Sequence, residues 1–209
     1  NQDIGNWNTS NVTSMRYMFT NSTFNRDISN WNTASVADMQ GMFYNTSMFN
    51  QDISTWTVSS VSNMVDMFKS AFSFNQNLGS WDISSVTDMS NMLDNTDLTI
   101  ANYSDTLIGW NNLSNTPSNI TLGALTLTYN DDGEVAYTNL TNVQGTNWII
   151  NDAGFACVHE TTDFLCYINN EERYINIKDI NPGFLVKTYK EGYVKVKYIF
   201  KQRCFNSYK

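Results

Sequence analysis

Two sets of side chains have types and spacings that could do chemistry. Asn1, Asn25, Asn50 and Asn75 recur at one position of a period, and Asp3, Asp27, Asp52 and Asn77 recur two residues further on. Stacked amides and carboxylates can bind a hard cation, so a calcium ladder is one reading. The other is that these side chains satisfy backbone groups at each corner of a coil. The period lacks the paired glycines and dense Asp of calcium-binding nonapeptide coils, which favours the second reading and no metal. The second set is Cys157, Cys166 and Cys204 with His159, the single histidine, all in the last quarter of the chain. An odd count argues against a disulfide framework and leaves room for one pair and one free thiol. From type and position alone, Cys157 reads as a small half-buried residue and His159 as a surface residue in a linker. No paired acids stand out for glycoside hydrolysis, and no pattern calls for a cofactor.

The elements that would position these residues come from a pattern written four times over residues 1–99. Trp7, Trp31, Trp56 and Trp81 fall at intervals of 24, 25 and 25 residues, and other apolar positions keep step. The columns are Ile4/Ile28/Ile53/Leu78, Val12/Val36/Val61/Val86, Met15/Met39/Met64/Met89, Met18/Met42/Met67/Met92 and Phe19/Phe43/Phe68/Leu93. Self-similarity at such a period predicts a solenoid in which each unit buries its apolar face against its neighbours. Within each unit, residues 27–31 read as a short extended piece. Residues 36–43, apolar at i, i+3, i+6 and i+7, read as a turn or two of helix or 3₁₀ coil. The Trp, Val, Met and Phe columns are expected inside.

The recurring string FNQDISTWTVSSVSNMVDMF, residues 49–68, resembles the repeat of BspA-type surface proteins. That family belongs to the leucine-rich-repeat class and is found on bacterial surfaces and encoded by some large DNA viruses. The resemblance implies a short strand plus a short helical turn per repeat. It also implies a role in adhesion and partner binding at a cell surface, outside the cell or on a virion.

Charge is uneven. Residues 1–100 hold three basic and nine acidic side chains, residues 101–156 none and five, and residues 157–209 nine and six. An acidic repeat block is a poor partner for nucleic acid, whose phosphates need clustered Lys and Arg. The basic residues of the last segment are interleaved with acids and strand formers and read as solvated strand faces. No run approaches the roughly 20 apolar residues of a membrane-spanning helix. The chain has no initiator Met and begins inside a repeat, so its true N-terminus is expected upstream and signal-peptide arguments do not apply. Asn-x-Ser/Thr triplets, as at Asn11, Asn21, Asn45, Asn102, Asn112, Asn119 and Asn139, read mostly as chance in so Asn-, Ser- and Thr-rich a chain.

After residue 99 the period fails, and residues 100–156 are expected to cap the stack. Residues 101–113 show helical spacing, with Ser104 or Asn102 as N-cap. Residues 121–129 alternate like a strand and lead into the turn signal Asn130, Asp131, Asp132, Gly133. Trp110 and Trp148 are expected to cover Met89, Met92 and Leu93. This stretch also resembles the segment that closes BspA-type arrays, through Tyr103, the Leu-Ile-Gly-Trp of residues 107–110 and the Trp-Ile-Ile of residues 148–150.

From residue 157 strand pairs are expected at residues 164–168 with 174–177 and 184–189 with 193–200, the latter joined by the turn at residues 190–192. The string CVHETTDFLCYINNEERYINIKDINPGFLVKTYKEGYVKVKYI resembles the opening of Hint domains, the hedgehog/intein self-splicing fold. In that family a leading Cys attacks the preceding carbonyl, which would make Cys157 the nucleophile at the bond after Ala156. The base and oxyanion stabiliser that such attack needs come in that family from a Thr/His block further downstream. Gly183-Phe184-Leu185-Val186 stands where the family has Gly-Asp-Leu-Val.

The expected architecture is therefore a leucine-rich-repeat-like solenoid over residues 1–99, a cap over 100–156 and a partial Hint-like β fragment over 157–209. The expected function is non-enzymatic: a surface-displayed interaction or adhesion module with a protein or glycan partner. The alternative is a self-processing protein that cleaves itself between Ala156 and Cys157.

Overall fold

The computed structural model describes residues 2–156 and, beyond them, the backbone of four strands. The chain divides into two compact units, Asn1–Ala156 and Cys157–Lys209. Regular secondary structure is sparse: helix α1 (Ile100–Asn111), strand β1 (Thr121–Gly123), helix α2 (Asp131–Thr141) and strand β2 (Ile149–Asn151) in the first unit. The second unit contains β3 (Asp163–Ile168), β4 (Glu171–Asn176), β5 (Leu185–Thr188) and β6 (Gly192–Lys195) in one antiparallel sheet of order β4-β3-β5-β6.

The four repeats are four coils of turns, laid in register on one another. Ser14, Asp38, Asn63 and Asp88 form parallel bridges from coil to coil. Around them alternate N–H groups point to the next coil: Met15 to Asp38 O, Tyr17 to Gln40 O, Phe19 to Met42 O and Asn21 to Tyr44 O, each at 2.9 Å. The intervening N–H groups close turns within their own coil, as Met18 to Met15 O and Thr20 to Tyr17 O. Backbone groups that would be costly to bury unpaired are thus satisfied without helix or long strand.

The expected helical turn at residues 36–43 is not formed. The reason is a pair of left-handed residues in every coil: Tyr17, Gly41, Asp66 and Asn91 in one column, Asn21, Asn45, Ser70 and Asn95 in another, all with φ between 52° and 60°. A left-handed residue cannot continue a right-handed helix, and it costs a non-glycine residue about 1–2 kcal/mol, least for Asn and Asp. The extended contact between coils falls within this segment, at Asp38, and not at residues 27–31.

Side chains between the coils stack like with like. Trp7, Trp31 and Trp56 lie parallel with centroids 6.4 Å apart at each step, and Phe19, Phe43 and Phe68 follow at 5.5 Å. A second phenylalanine column, Phe24, Phe49 and Phe74, closes on the first at 3.8–4.0 Å. Each such ring buries on the order of 150–250 Å². These columns, with Ile28, Val36, Met39 and their equivalents, form one core that continues through Trp110, Leu122 and Trp148. The first coil departs from the expected burial: Trp7 is 57% exposed against 3% for Trp31, and Met18 is 41% exposed against 0% for Met42. Only one of its two faces is covered by another coil.

Beyond the repeats, β1 lies on the fourth coil, with Met89 N–H bonded to Thr121 O and Leu93 N–H to Gly123 O. Gly123 has no room for a side chain, since a Cβ there would sit 2.2 Å from the backbone of Asn91. β2 pairs in parallel with β1, Leu122 opposite Ile150. The N-cap of α1 is Thr99, whose side chain accepts from Asn102 N–H, in place of the expected Ser104 or Asn102. Ser104 is instead buried, and its hydroxyl accepts the N–H of Asn130. The expected strand over residues 121–129 stops at Gly123. The expected turn at residues 130–133 is the start of α2, capped by Asn130 with three acids in its first turn.

Candidate binding face

The repeated polar columns are consumed in holding the stack. Asp27 and Asp52 accept the N–H of Ser29 and Ser54 at 2.9 Å, and these bonds hold both carboxyls below the usual range. Asp3 and Asn77 make the same turn with Gly5 and Gly79. The side-chain oxygens of Asn25, Asn50 and Asn75 accept from the N–H of Asn50, Asn75 and Thr99 at 2.9–3.0 Å, so each amide pins the following coil. Ser35, Ser60 and Ser85 tie back to the carbonyls of Ser10, Ala34 and Ser59. Among the described residues no group of three or more His, Cys, Asp or Glu is placed to hold a metal ion.

The ribbon of left-handed turns is different, because its outward columns change chemistry at every coil. The bridge column reads Ser14, Asp38, Asn63, Asp88, and two residues on it reads Arg16, Gln40, Val65, Ser90. Next to these stand Tyr17, Gly41, Asp66 and Asn91, then Thr20, Tyr44 and Lys69. Neighbours on adjacent coils meet: Arg16 Nε lies 3.5 Å from Asp38 Oδ2, Asn63 Nδ2 donates to Gln40 Oε1, and Asn91 Nδ2 donates to Asp66 Oδ1 at 3.1 Å. Lys69 Nζ approaches the same Asp66 oxygen at 3.4 Å. Both ion pairs are partly solvated and worth at most about 1 kcal/mol, so they orient side chains more than they stabilise the fold. Tyr17 lies across Gly41, where a Cβ would come within 2.2 Å of the ring, while the Arg16 guanidinium sits 5.6 Å from its centroid. The result is a rigid backbone carrying a varied, largely polar surface.

A second cluster lies in the cap. The Tyr103 hydroxyl donates to Asp152 Oδ2 at 2.8 Å, and Gly154 N–H donates to Asp152 Oδ1 at 2.9 Å. Tyr129 stacks on Tyr137 at 4.5 Å and meets the edge of Phe155. Burial raises the Asp152 carboxyl, against its hydrogen bonds. Burial, then the Asp152 charge, pushes Tyr103 far up, and burial with neighbouring Tyr137 takes Tyr129 up to about 12. These groups fasten the segment 149–156, which also bonds along residues 120–129 through Ile149 N–H to Ile120 O, Ala153 N–H to Leu127 O and Tyr129 N–H to Gly154 O. Nothing in sequence spacing signalled the Tyr103–Asp152 contact, which spans 49 positions. A shallow depression of about 520 Å³ lies elsewhere, between Ser54, Ser80 and helix α1, with Asp105 its one carboxylate.

Of the residues singled out from the sequence, Cys157, His159 and Cys204 lie outside the described residues. Cys166 is placed by its backbone alone, on β3 opposite Arg173 of β4 and Val186 of β5.

The fold and this face define a repeat protein of stacked turn coils with an aromatic core. The chain belongs to the family described as Mycoplasma protein of unknown function, DUF285, whose model matches residues 1–106, the four coils and the first half of α1. No curated protein and no solved structure matches the chain.

Proposed function

We propose that this chain is a non-enzymatic interaction module: a leucine-rich-repeat-like solenoid of the BspA type, displayed at a cell surface, outside the cell or on a virion, that binds a protein or glycan partner. The observation that carries this reading is the division of labour among the polar columns. Asn25, Asn50 and Asn75, and Ser35, Ser60 and Ser85, which bond to the backbone of a neighbouring coil, keep one residue type, whereas the ribbon from Ser14 to Asn91, whose side chains meet one another across coils, varies in charge, size and polarity on the same backbone. A scaffold whose structural positions are uniform and whose exposed positions differ presents an extended, individually tailored contact surface. Partner binding is tested by adding fluorescently labelled chain to a panel of intact cells, before and after protease or glycosidase treatment. Saturable binding lost on one treatment supports the reading and identifies the partner class; uniformly non-saturable binding overturns it.

A second reading is favoured by one observation, that the division into two units falls between Ala156 and Cys157, the bond a Hint-type nucleophile would break. In that reading the repeat unit is cargo and the second unit is the start of a self-processing domain. Incubation with dithiothreitol followed by mass spectrometry separates the two readings. An intact chain supports the interaction module alone; a fragment ending at Ala156, absent from Cys157→Ala, supports self-processing.

A further inference from the structure

In the middle of the ribbon, side chains on the second, third and fourth coils hold one another sideways. Asn63 Nδ2 donates to Gln40 Oε1 at 3.4 Å, and Asn63 Oδ1 accepts the N–H of Val65 at 3.1 Å. Beside them Asp66 Oδ1 receives Asn91 Nδ2 at 3.1 Å and Lys69 Nζ at 3.4 Å. Val65 stands between the two sets in the chain, and Tyr44 holds the position of Lys69 on the coil before it. All of these side chains are half-buried, so much of the ordering that binding would demand is already done.

The sideways bonds use only part of what these groups offer. Gln40 Nε2, Asp66 Oδ2 and Asn91 Oδ1 have no hydrogen-bond partner among the described residues. What remains is a set of donors and acceptors interleaved around one small apolar side chain, Val65. A protein interface is built on a desolvated apolar or aromatic centre from which charge is depleted. Laid over Asp66, such a centre would strip water from a carboxylate and return nothing to its second oxygen. A hydroxyl both donates and accepts, so adjacent hydroxyls can serve a carboxylate and an amide together. Charge narrows the class further. Lys69 answers Asp66 and Arg16 answers Asp38, while Asp88 is held by the N–H and hydroxyl of Ser90 with no cation in the pair. The ribbon is net negative, which opposes a sulfated or carboxylated sugar.

We propose that the partner of the ribbon is a neutral glycan, bound across Gln40, Asn63, Asp66, Lys69 and Asn91, an inference that rests on the ribbon being the contact surface. Sugar hydroxyls take the place of water on groups that are already fixed, and the carbon-bound hydrogens of the ring rest on Val65 and Tyr44.

The test binds the labelled full chain to a panel of intact cells in the presence of oligosaccharides released enzymatically from the same cells and divided by anion exchange into neutral and acidic fractions. The expected result is that the neutral fraction displaces saturable binding, the acidic fraction does not, and mild periodate, which cleaves vicinal diols, abolishes it. Gln40→Ala and Asp66→Asn should each weaken binding about tenfold, the size of one hydrogen bond. Asp66→Asn keeps an acceptor for Asn91 and a residue type suited to the left-handed backbone, so its thermal midpoint should stay within a few degrees of the wild type. Saturable binding that survives periodate and ignores both fractions overturns the glycan and leaves the interaction module standing with a protein partner. Displacement by the acidic fraction overturns the neutral class, and full affinity in both variants overturns the site. Binding that never saturates on any cell removes the interaction module itself, and this inference with it.

Discussion

The Trp110 indole N–H donates to the carbonyl of Leu78 at 3.0 Å, the bond that Trp81 makes to Ile53, Trp56 to Ile28 and Trp31 to Ile4. Helix α1 therefore enters the stack as a fifth coil would, although it shares neither the backbone nor the period of the repeats. Close packing of Gly109 against Gly79 permits this, since a Cβ on Gly109 would fall 2.2 Å from the Gly79 oxygen. Trp110→Phe should keep most of the apolar contact but remove one of the two hydrogen bonds that the Leu78 carbonyl accepts, the other coming from Trp81 N–H at 3.0 Å, at a cost of about 0.5–1.5 kcal/mol. Trp7→Phe, on the exposed end, should cost under about 0.5 kcal/mol. Urea denaturation of the two variants measures the difference.

Interior rings should dominate cohesion. Trp56→Ala removes a ring stacked on Trp31 and Phe43 and should cost about 3–5 kcal/mol. The loss should appear as a lower denaturation midpoint, with hydrogen exchange accelerated in the second and third coils first.

Gly41→Ala should destabilise by roughly 1–3 kcal/mol, because the left-handed backbone and the Tyr17 ring both oppose a Cβ. The ring's share is separable. In a double-mutant cycle with Tyr17→Ala the two substitutions should be less costly together than their sum, and strict additivity would show that the backbone alone is responsible.

The columns of Trp, Val, Met and Phe were legible in the sequence because packing between identical coils demands the same shape at each step. The conformation between them was not. Apolar spacings of three and three serve a helix and a ribbon of turns equally well, and the deciding feature is the left-handed pair in each coil. Each of its two columns, Asn21, Asn45, Ser70, Asn95 and Tyr17, Gly41, Asp66, Asn91, carries a residue type that tolerates a left-handed backbone at three of four positions, but Asn, Asp and Gly recur throughout each repeat and do not single these positions out. Trp110 was identified as a covering residue, but its hydrogen bond to Leu78 depends on a close approach of two glycines that no local pattern announces. The face proposed for binding was legible only as variation, and Tyr103 with Asp152 not at all, since their contact is made by the closure of the cap.

That closure has a definite pH signature. Asp152 binds its proton more tightly in the folded chain than in the unfolded one, so its contribution is fully present below the unfolded value of about 3.9 and is lost as pH rises through the raised folded value. Tyr129 follows the same sign higher up: its contribution is complete below about 10 and lost as pH rises toward its folded value of about 12. Asp152→Asn, which retains an acceptor for the Tyr103 hydroxyl, should gain on the wild type as pH rises from the unfolded value of about 3.9 through the raised folded value. Tyr129→Phe should flatten the alkaline limb. Thermal midpoints across pH measure both.

The account rests on the separation of columns that build the stack from columns proposed to meet a partner. It is tested most directly by making the column Arg16, Gln40, Val65, Ser90 uniform, with Arg16→Ser, Gln40→Ser and Val65→Ser in one chain, and measuring cell binding and denaturation midpoint on the same preparation. The expected result is a midpoint within about 1 kcal/mol of the wild type, since the three side chains are at least partly exposed, together with loss of saturable binding. Binding unchanged at an unchanged midpoint would contradict the assignment of the ribbon as the contact surface.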